Sequence, residues 1–315
     1  MPDNKTYPGQ ERFVAAPDDV IVGAVDAVAK DVEPAGFWKT AWKELRRKPL
    51  FWVCVVMLTL IVLFVLFPWV FAHQDPQYAT LDRSLLPPSG EHWFGTDQLG
   101  YDIYTRTVYG ARASVLVGVL TTIAVVIIGG LLGTIAGFYG GWLDSVIARV
   151  ADIFFGIPLM LAAVVVMQMI KGRTIFTVVL VLAIFSWPQI ARIARSAAIS
   201  IRNEEFITAS KSLGASKVRT LFTHVIPNCL GPVIVIATIS LGIYIVTEAT
   251  LSYLGIGLPK TTVSWGMDIA AGKDLLREGT PILFYPAAAL AITVLVFMML
   301  GDVLRDALDP KARTR

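Results

Sequence analysis

The sequence predicts an all-α integral membrane protein with six transmembrane helices. Hydrophobic residues make up 55% of the 315 residues and charged residues only 16%, well above the apolar share of ordinary soluble domains. Six apolar runs approach the roughly 20 residues that a helix needs to cross a hydrocarbon core of about 30 Å. These predicted spans are residues 51–73, 113–137, 147–170, 174–190, 231–254 and 282–304.

The segments before the first span divide into two parts. Residues 1–36 carry Asp, Glu, Pro and Gly without sustained periodicity, which predicts a mobile tail. Residues 37–49 place Trp38 and Trp42 on one helical face with lysines and arginines beside it, which predicts an amphipathic helix at the membrane interface. The predicted permeation domain is 50–310, and residues 311–315 form a second short tail.

The orientation follows from the lysine and arginine residues between the spans. Six spans place both termini on the same side of the membrane. Basic residues on that side, which also holds the 191–230 connection, outnumber those on the other side by two to one. By the positive-inside rule both termini are expected to be cytoplasmic.

A polar segment, residues 203–228, separates the fourth and fifth spans and predicts a helical hairpin. Apolar or small residues recur at spacings of three, four and seven on both sides of Gly214. The first stripe is Phe206, Ala209, Ser210 and Leu213, and the second is Val218, Leu221, Phe222, Val225 and Ile226. Two short amphipathic helices are therefore expected to meet at a glycine bend.

Either lipid headgroups or another protein could contact the apolar stripes of this hairpin. Its basic residues could attract acidic lipid headgroups. A segment lying on a membrane surface, however, has no need for a bend at Gly214 between two separate stripes. A docking contact with another protein is therefore the favoured interpretation.

Small residues and prolines predict how the spans pack. Gly129, Gly133 and Gly137 recur every four residues in the second span, which lets a neighbouring backbone approach closely. Pro158 in the third span and Pro188 at the end of the fourth remove backbone donors and predict local kinks.

Acidic residues are few within the spans. Asp152 is expected in the first turns of the third span, Glu248 in the outer third of the fifth, and Asp302 near the end of the sixth. Each has two interpretations, an interfacial cap or interhelical hydrogen bond, or a polar position along a translocation path. Glu248 is the best candidate for the second.

The sequence lacks the common signatures of catalysis and cofactor binding. The phosphate-binding pattern G-x-x-x-x-G-K-[ST] does not occur, since Gly272-Lys273 is followed by Asp274. The three histidines and two cysteines, Cys54 and Cys229, show no metal-ligand spacing. No catalytic residue, metal or bound cofactor is predicted, so ATP chemistry would have to come from a partner.

Several ordered motifs carry a family resemblance. They are His92 to Asp102, Gly140-Gly141-Trp142, the hairpin itself, Glu248 to Gly257, Ser264 to Met267, and Gly301 to Pro310. With them the chain resembles, over about residues 37–310, the inner-membrane permease subunit of binding-protein-dependent ABC importers. The specific likeness is to the second, C-type permease of the dipeptide/oligopeptide/nickel group, which implies a type I ABC importer permease fold.

The hairpin resembles the EAA loop of that family but departs from its usual triplet. The triplet Glu-Ala-Ala is replaced by Thr208-Ala209-Ser210, followed after three intervening residues by Gly214 and later by Pro227. The acid is therefore missing at Thr208, and Glu204 or Glu205 is the candidate substitute. The residues assigned to coupling are Glu205, Thr208, Ala209, Ser210, Leu213, Gly214, Ala215, Leu221, Phe222 and Pro227.

The resemblance implies an importer located in the bacterial cytoplasmic membrane. Its partners would be a homologous second permease, two ATPase subunits that use ATP and Mg²⁺, and the lipid bilayer. An extracytoplasmic solute-binding protein would contact segments 74–112 and 255–281. No nucleic acid is expected as a partner. Peptides are the expected substrate, and nickel chelates or glutathione-like solutes the alternative. An ion-coupled secondary transporter and a structural membrane subunit are the rivals from other classes, and the first would need paired acids near the midplane.

Overall fold

The structure is a computed structural model that describes residues 37–308 except 274 and 277–281. Both predicted tails, 1–36 and 311–315, lie outside the described residues. The regular elements are helices α1 Phe37–Leu45, α2 Pro49–Leu66, α3 Pro68–Phe71, α4 Ile103–Tyr139, α5 Gly141–Phe155, α6 Leu159–Met169, α7 Ile175–Arg202, α8 Glu205–Ser212, α9 Lys217–Thr220, α10 Ile226–Tyr253, α11 Trp265–Gly272 and α12 Phe284–Leu308. Leu81–Arg83 forms a 3₁₀ turn, and Leu221–Val225 a π-helical turn.

Five helices are long and apolar enough to cross a membrane, and a bent pair provides a sixth crossing. The five are α2, α4, α7, α12, and α10 together with the turn and helix α9 that lead into it. The pair is α5 and α6, whose axes differ by 81° across the break at residues 156–158. The all-α, six-span prediction is therefore confirmed by the described residues.

The bent pair corrects the predicted third span, which was a single segment over 147–170. Helix α5 ends at Phe155 because Pro158, which has no amide hydrogen, stands where α6 begins. Asp144 near the start of α5 binds Arg195 at one end of the bundle, and Arg173 after α6 donates to the Gly255 carbonyl at the other end. The two helices therefore connect both ends of the bundle, as one broken span would.

Helices α4 and α7 are longer than the spans predicted for them. Helix α4 begins ten residues before the apolar run, because the Asp102 side chain accepts a hydrogen bond from the Thr105 amide at 2.7 Å and caps its first turn. Helix α7 continues through Pro188, the predicted kink site, to Arg202 as a single helix. Its last turns are held by burial of Ala194 and Ala198.

The glycine stripe of α4 lies directly against the backbone of α7, a close approach that its spacing predicted. A Cβ atom added at Gly129 would lie 2.5 Å from the Trp187 carbonyl oxygen. At Gly133 and Gly137 the added atom would overlap the backbone carbonyls of Ala191 and Arg195. Helices α4 and α7 thus run side by side at backbone contact, which only glycine permits.

The contacts define two ends of the bundle. Arg195 and Gly137 meet near the C-terminal ends of α4 and α7, where the polar hairpin follows, and Lys48 before α2 pairs with Asp306 of α12 at 2.8 Å. We call the end where α7 leads into α8 the hairpin end. The opposite end carries the 72–102 segment and α11.

Candidate functional site

The predicted hairpin has two helical arms joined at a left-handed glycine. Helix α8 ends at Ser212, and Gly214 has a φ of 82°, a conformation that glycine adopts without the steric cost paid by other residues. The amide of Ala215 donates to the Ser210 carbonyl at 3.1 Å and closes the turn. The Ser216 hydroxyl then accepts a hydrogen bond from the Arg219 amide and caps α9.

The inner side of the hairpin is fixed to the bundle by an apolar cluster. Ile207 of α8 and Leu221 and Val225 of the π-helical turn are buried against Phe138 of α4 and Ala198 of α7. The Lys211 ammonium also lies over the Phe138 ring, 6.0 Å from its centre. The position of the hairpin is therefore set by the hairpin-end turns of α4 and α7.

Because the inner side of the hairpin packs on the bundle, the docking role predicted for one residue is wrong. Leu221 belongs to the stripe expected to dock on a partner, but its side chain is only 4% exposed and packs within this chain. Ile207, which lay outside the predicted stripe, takes a similar place on the first arm with no exposed surface. The stripe of the second arm is thus divided between the bundle and solvent.

The outer side of the hairpin leaves large apolar side chains exposed. Leu213 at the bend is 88% exposed and Phe222 is 60% exposed. Val218 and Phe206 are exposed as well. A cluster of four large exposed apolar side chains on a polar hairpin is typical of a surface that binds another protein.

The remaining predicted coupling residues occupy three kinds of position. Glu205, Thr208 and Ala209 are exposed on α8, and Ser210 and Ala215 are half-buried beside the bend. Pro227 lies apart from the arms, in the first turn of α10, directly after the π-helical turn. Among the described side chains, neither Glu204 nor Glu205 has an ion-pair partner within 4.0 Å, so both carboxylates are open to an external cation.

The acidic residues considered within the spans make contacts between elements. Glu248 is fully buried, and the Ser252 hydroxyl donates to its Oε1 at 2.8 Å, while Ser114 and Ser264 face the same carboxyl group. Asp152 lies in the last turn of α5, rather than the first turn of the span, and is 3.7 Å from Arg192 of α7. Their proposed place along a translocation path stays a prediction.

The opposite end of the bundle contains an ion pair that the sequence pattern did not predict. Arg106 of α4 donates through Nε to Asp268 of α11 at 2.7 Å and through Nη1 to the Pro76 carbonyl at 3.3 Å. Both side chains of the pair are largely buried. Burial raises the pKa of the Asp268 carboxyl group to about 6, although the Arg106 guanidinium opposes that shift. The pair holds α11 and the 72–102 segment against α4.

Replacing Arg106 by glutamine is expected to destabilise the opposite end by about 3 kcal/mol, because breaking a buried pair leaves an uncompensated carboxylate. The deficit should shrink as the pH falls from about 8 to about 5, since a carboxyl group whose native pKa is raised takes up a proton in the folded state first. Thermal unfolding of the detergent-solubilised chain would measure both effects.

A matched control is Arg83→Gln, which removes an exposed ion pair with Glu91 whose atoms are 3.9 Å apart. Its effect should stay below about 1 kcal/mol, the usual range for surface pairs. Equal unfolding temperatures for the Arg106 and Arg83 variants would contradict the role assigned to Arg106.

The comparisons with known proteins place the chain in a family. The family model described as "binding-protein-dependent transport system inner membrane component" matches residues 129–314, more than half of the chain. A second model, "N-terminal TM domain of oligopeptide transport permease C", matches residues 36–88. The chain belongs to the family of binding-protein-dependent transport system inner membrane components.

Curated relatives are similar over nearly their whole length. The oligopeptide transport system permease protein OppC of Bacillus subtilis (strain 168) is 38% identical over 290 residues, which cover 92% of this chain and 95% of that protein. The dipeptide transport system permease protein DppC of Alkalihalophilus pseudofirmus is 37% identical, with 88% and 91% covered. The glutathione transport system permease protein GsiD of Escherichia coli O6:K15:H31 is 35% identical, with 88% and 91% covered.

Proposed function

We propose that this chain is the C-type permease subunit of an ABC importer that moves di- or oligopeptides into the cytoplasm. The observation that carries the proposal is a hairpin fixed to the bundle on one side and exposing Leu213 and Phe222 on the other, in a chain of this family. The names of the two most similar relatives quoted above supply the substrate class.

The hairpin end faces the cytoplasm in this proposal, where ATP is available. The basic residues on the side of the termini support that orientation. Two ATPase subunits would bind the hairpins of this chain and of a homologous second permease, and an extracytoplasmic solute-binding protein would deliver substrate to the opposite end. ATP and Mg²⁺ are used by the ATPase subunits, and this chain performs no catalysis.

The exposed residues of the hairpin divide into two roles. Leu213 and Phe222 enter an apolar groove of the ATPase. The side chains of Ala209, Ser210 and Ala215 are small, so the ATPase can approach the hairpin backbone closely. Leu221 instead transmits force to the bundle through the apolar cluster that also contains Phe138. Glu205 supplies the negative charge that Thr208 lacks.

Transport in this scheme follows from movement of rigid parts. When ATP draws the two ATPase subunits together, the hairpins move with them and the helices rock as bodies. A path between the two permeases then opens away from the cytoplasm, and hydrolysis resets it.

The test is copurification of this chain with an ATPase whose turnover rises when peptide-loaded binding protein is added. Replacing Leu213 and Phe222 together by aspartate is expected to reduce the copurified ATPase at least about 100-fold, because burying two unpaired charges in an apolar groove costs several kcal/mol. Pull-down from membranes with quantitative immunoblotting would measure it.

Leu81→Asp is the matched control, since Leu81 is 76% exposed but lies in the segment at the opposite end. It should leave the amount of copurified ATPase unchanged. Full retention of the ATPase by the Leu213 and Phe222 double variant would refute docking at the hairpin, and uptake that follows an ion gradient without an ATPase would favour a secondary transporter.

Glutathione-like solutes form the second substrate class, favoured by the 35% identical glutathione permease. Competition assays in cells carrying the complete importer distinguish the two classes. Unlabelled dipeptides and oligopeptides should reduce uptake of a labelled peptide, and glutathione should not. The reverse order of competition would assign the chain to glutathione import.

A further inference from the structure

Two neighbouring cavities lie at the opposite end of the bundle and together have the shape and chemistry of a lipid site. The larger has a volume of about 360 Å³ and lies between α2, α4 and α12. Met57 and Phe64 of α2, Ala111 of α4, and Ala288 and Ile292 of α12 contribute to its walls. Because these helices are membrane spans, the apolar side chains that line the cavity lie at the depth of the bilayer hydrocarbon.

The smaller cavity, of about 170 Å³, is polar and lies where the chain leaves α3 and enters α4. Its lining residues include His73, Gln74, Glu91, Trp93 and Asp102. Two of these five residues are acidic, and Trp93 is aromatic. Such a combination of carboxylates and aromatic rings favours an organic ammonium group.

Tyr104 lines both cavities, so the larger cavity and the smaller cavity meet at this residue. Its hydroxyl donates to the Phe71 carbonyl at 3.2 Å. The Trp93 ring lies 4.7 Å and the Phe94 ring 5.3 Å from the Tyr104 ring, and Phe94 stacks on Tyr285 at 4.1 Å. Aromatic side chains gather at membrane–water interfaces, so the apolar cavity lies on the lipid side of Tyr104 and the acidic cavity on the water side.

The acidic groups of the smaller cavity differ in how they are held. Asp102 is buried, with His92 Nδ1 at 2.9 Å and the Thr105 amide at 2.7 Å, so its position is fixed. Glu91 is largely exposed and has only a long ion pair with Arg83 at 3.9 Å. Glu91 is therefore the carboxylate with capacity left for a ligand.

We propose that the two cavities bind one phospholipid of the leaflet at the opposite end, with a primary amine in its headgroup. An acyl chain occupies the apolar cavity, which in a bilayer fills with hydrocarbon in preference to water. The ammonium group lies in the smaller cavity against Glu91 and the Trp93 ring. Charge complementarity selects this lipid class over anionic lipids such as phosphatidylglycerol, whose headgroup carries no cation.

Native mass spectrometry of the full-length chain, purified in detergent and mixed with equal amounts of phosphatidylethanolamine and phosphatidylglycerol, tests this site. The wild-type chain is expected to retain one phosphatidylethanolamine. Ala288→Phe fills the apolar cavity and should lower retention of both lipids at least about tenfold, a difference of about 1.4 kcal/mol. Ala291→Phe is the matched control, because Ala291 is exposed on the same helix outside the cavity, and it should retain the lipid.

The headgroup is tested separately by Glu91→Gln, with Asp82→Asn as the control for loss of an exposed charge in the same segment. Glu91→Gln should keep the chain bound but lose the preference for phosphatidylethanolamine, while Asp82→Asn keeps it. Equal retention of both lipids by the wild-type chain, or unchanged retention by Ala288→Phe, would overturn the proposal. Crosslinking from Ala288→Cys that captured the second permease, with loss of the lipid, would identify a protein as the occupant and would also overturn it.

Discussion

Replacing Gly133 by leucine is expected to prevent α4 and α7 from packing and to destabilise the bundle by about 3 kcal/mol or more. Overpacking costs about 1–3 kcal/mol where side chains can move aside. At Gly133 the added carbon would overlap the Ala191 carbonyl, which is backbone in the middle of a helix. The two helices must separate along their length, because neither backbone can yield locally.

The same helix provides the control for this variant. Gly130 lies three residues away, and an added Cβ would meet no atom within 4 Å. Gly130→Leu should therefore keep the wild-type elution profile and unfolding temperature in detergent, while Gly133→Leu aggregates or melts earlier. Two variants with the same profile would show that the stripe of glycines does not determine packing.

Replacing Gly214 by valine is expected to reduce peptide uptake at least about tenfold with normal insertion of the chain into the membrane. A left-handed backbone costs a residue with a Cβ about 1–2 kcal/mol, and β-branched residues more. No described atom lies within 4 Å of a Cβ added at Gly214, so the cost comes from its φ of 82° alone. The bend then opens, and Leu213 is displaced relative to Phe222 of the second arm.

Asparagine tolerates the left-handed conformation, so Gly214→Asn should keep most of the uptake. Gly90→Val is a second control, because Gly90 has open space and no left-handed φ. Labelled peptide uptake, normalised to the amount of chain in the membrane, measures all three variants. Uptake by Gly214→Val at the wild-type level would remove the bend from the coupling mechanism.

The sequence predicted the helical arms and the glycine stripe because both depend on local periodicity. It misassigned Leu221 because an amphipathic stripe shows which residues are apolar but not whether the bundle or a partner covers them. Ile207 illustrates the same limit, since it lies beside the stripe and is the most buried residue of its arm.

The residue pattern of the sequence could not predict contacts between positions that are distant along the chain. Arg106 and Asp268 are 162 residues apart, and nothing in either neighbourhood indicates the other. The start of α4 was missed because Arg106 and Arg112 lower the hydropathy of its first turns. A signal did exist there, since Asp102 is of a residue type that typically caps a helix N-terminus.

Helix α9, the π-helical turn and α10 form one continuous rod from Lys217 to Tyr253. At 1.5 Å per residue its 37 residues extend roughly 55 Å, so each degree of tilt displaces one end relative to the other by about 1 Å. Val218 near one end is exposed at the hairpin, while Glu248 near the other end is buried beside Ser252, Ser114 and Ser264. In the proposed transport scheme this rod would act as a lever, which would carry a push at the hairpin to the opposite end of the bundle.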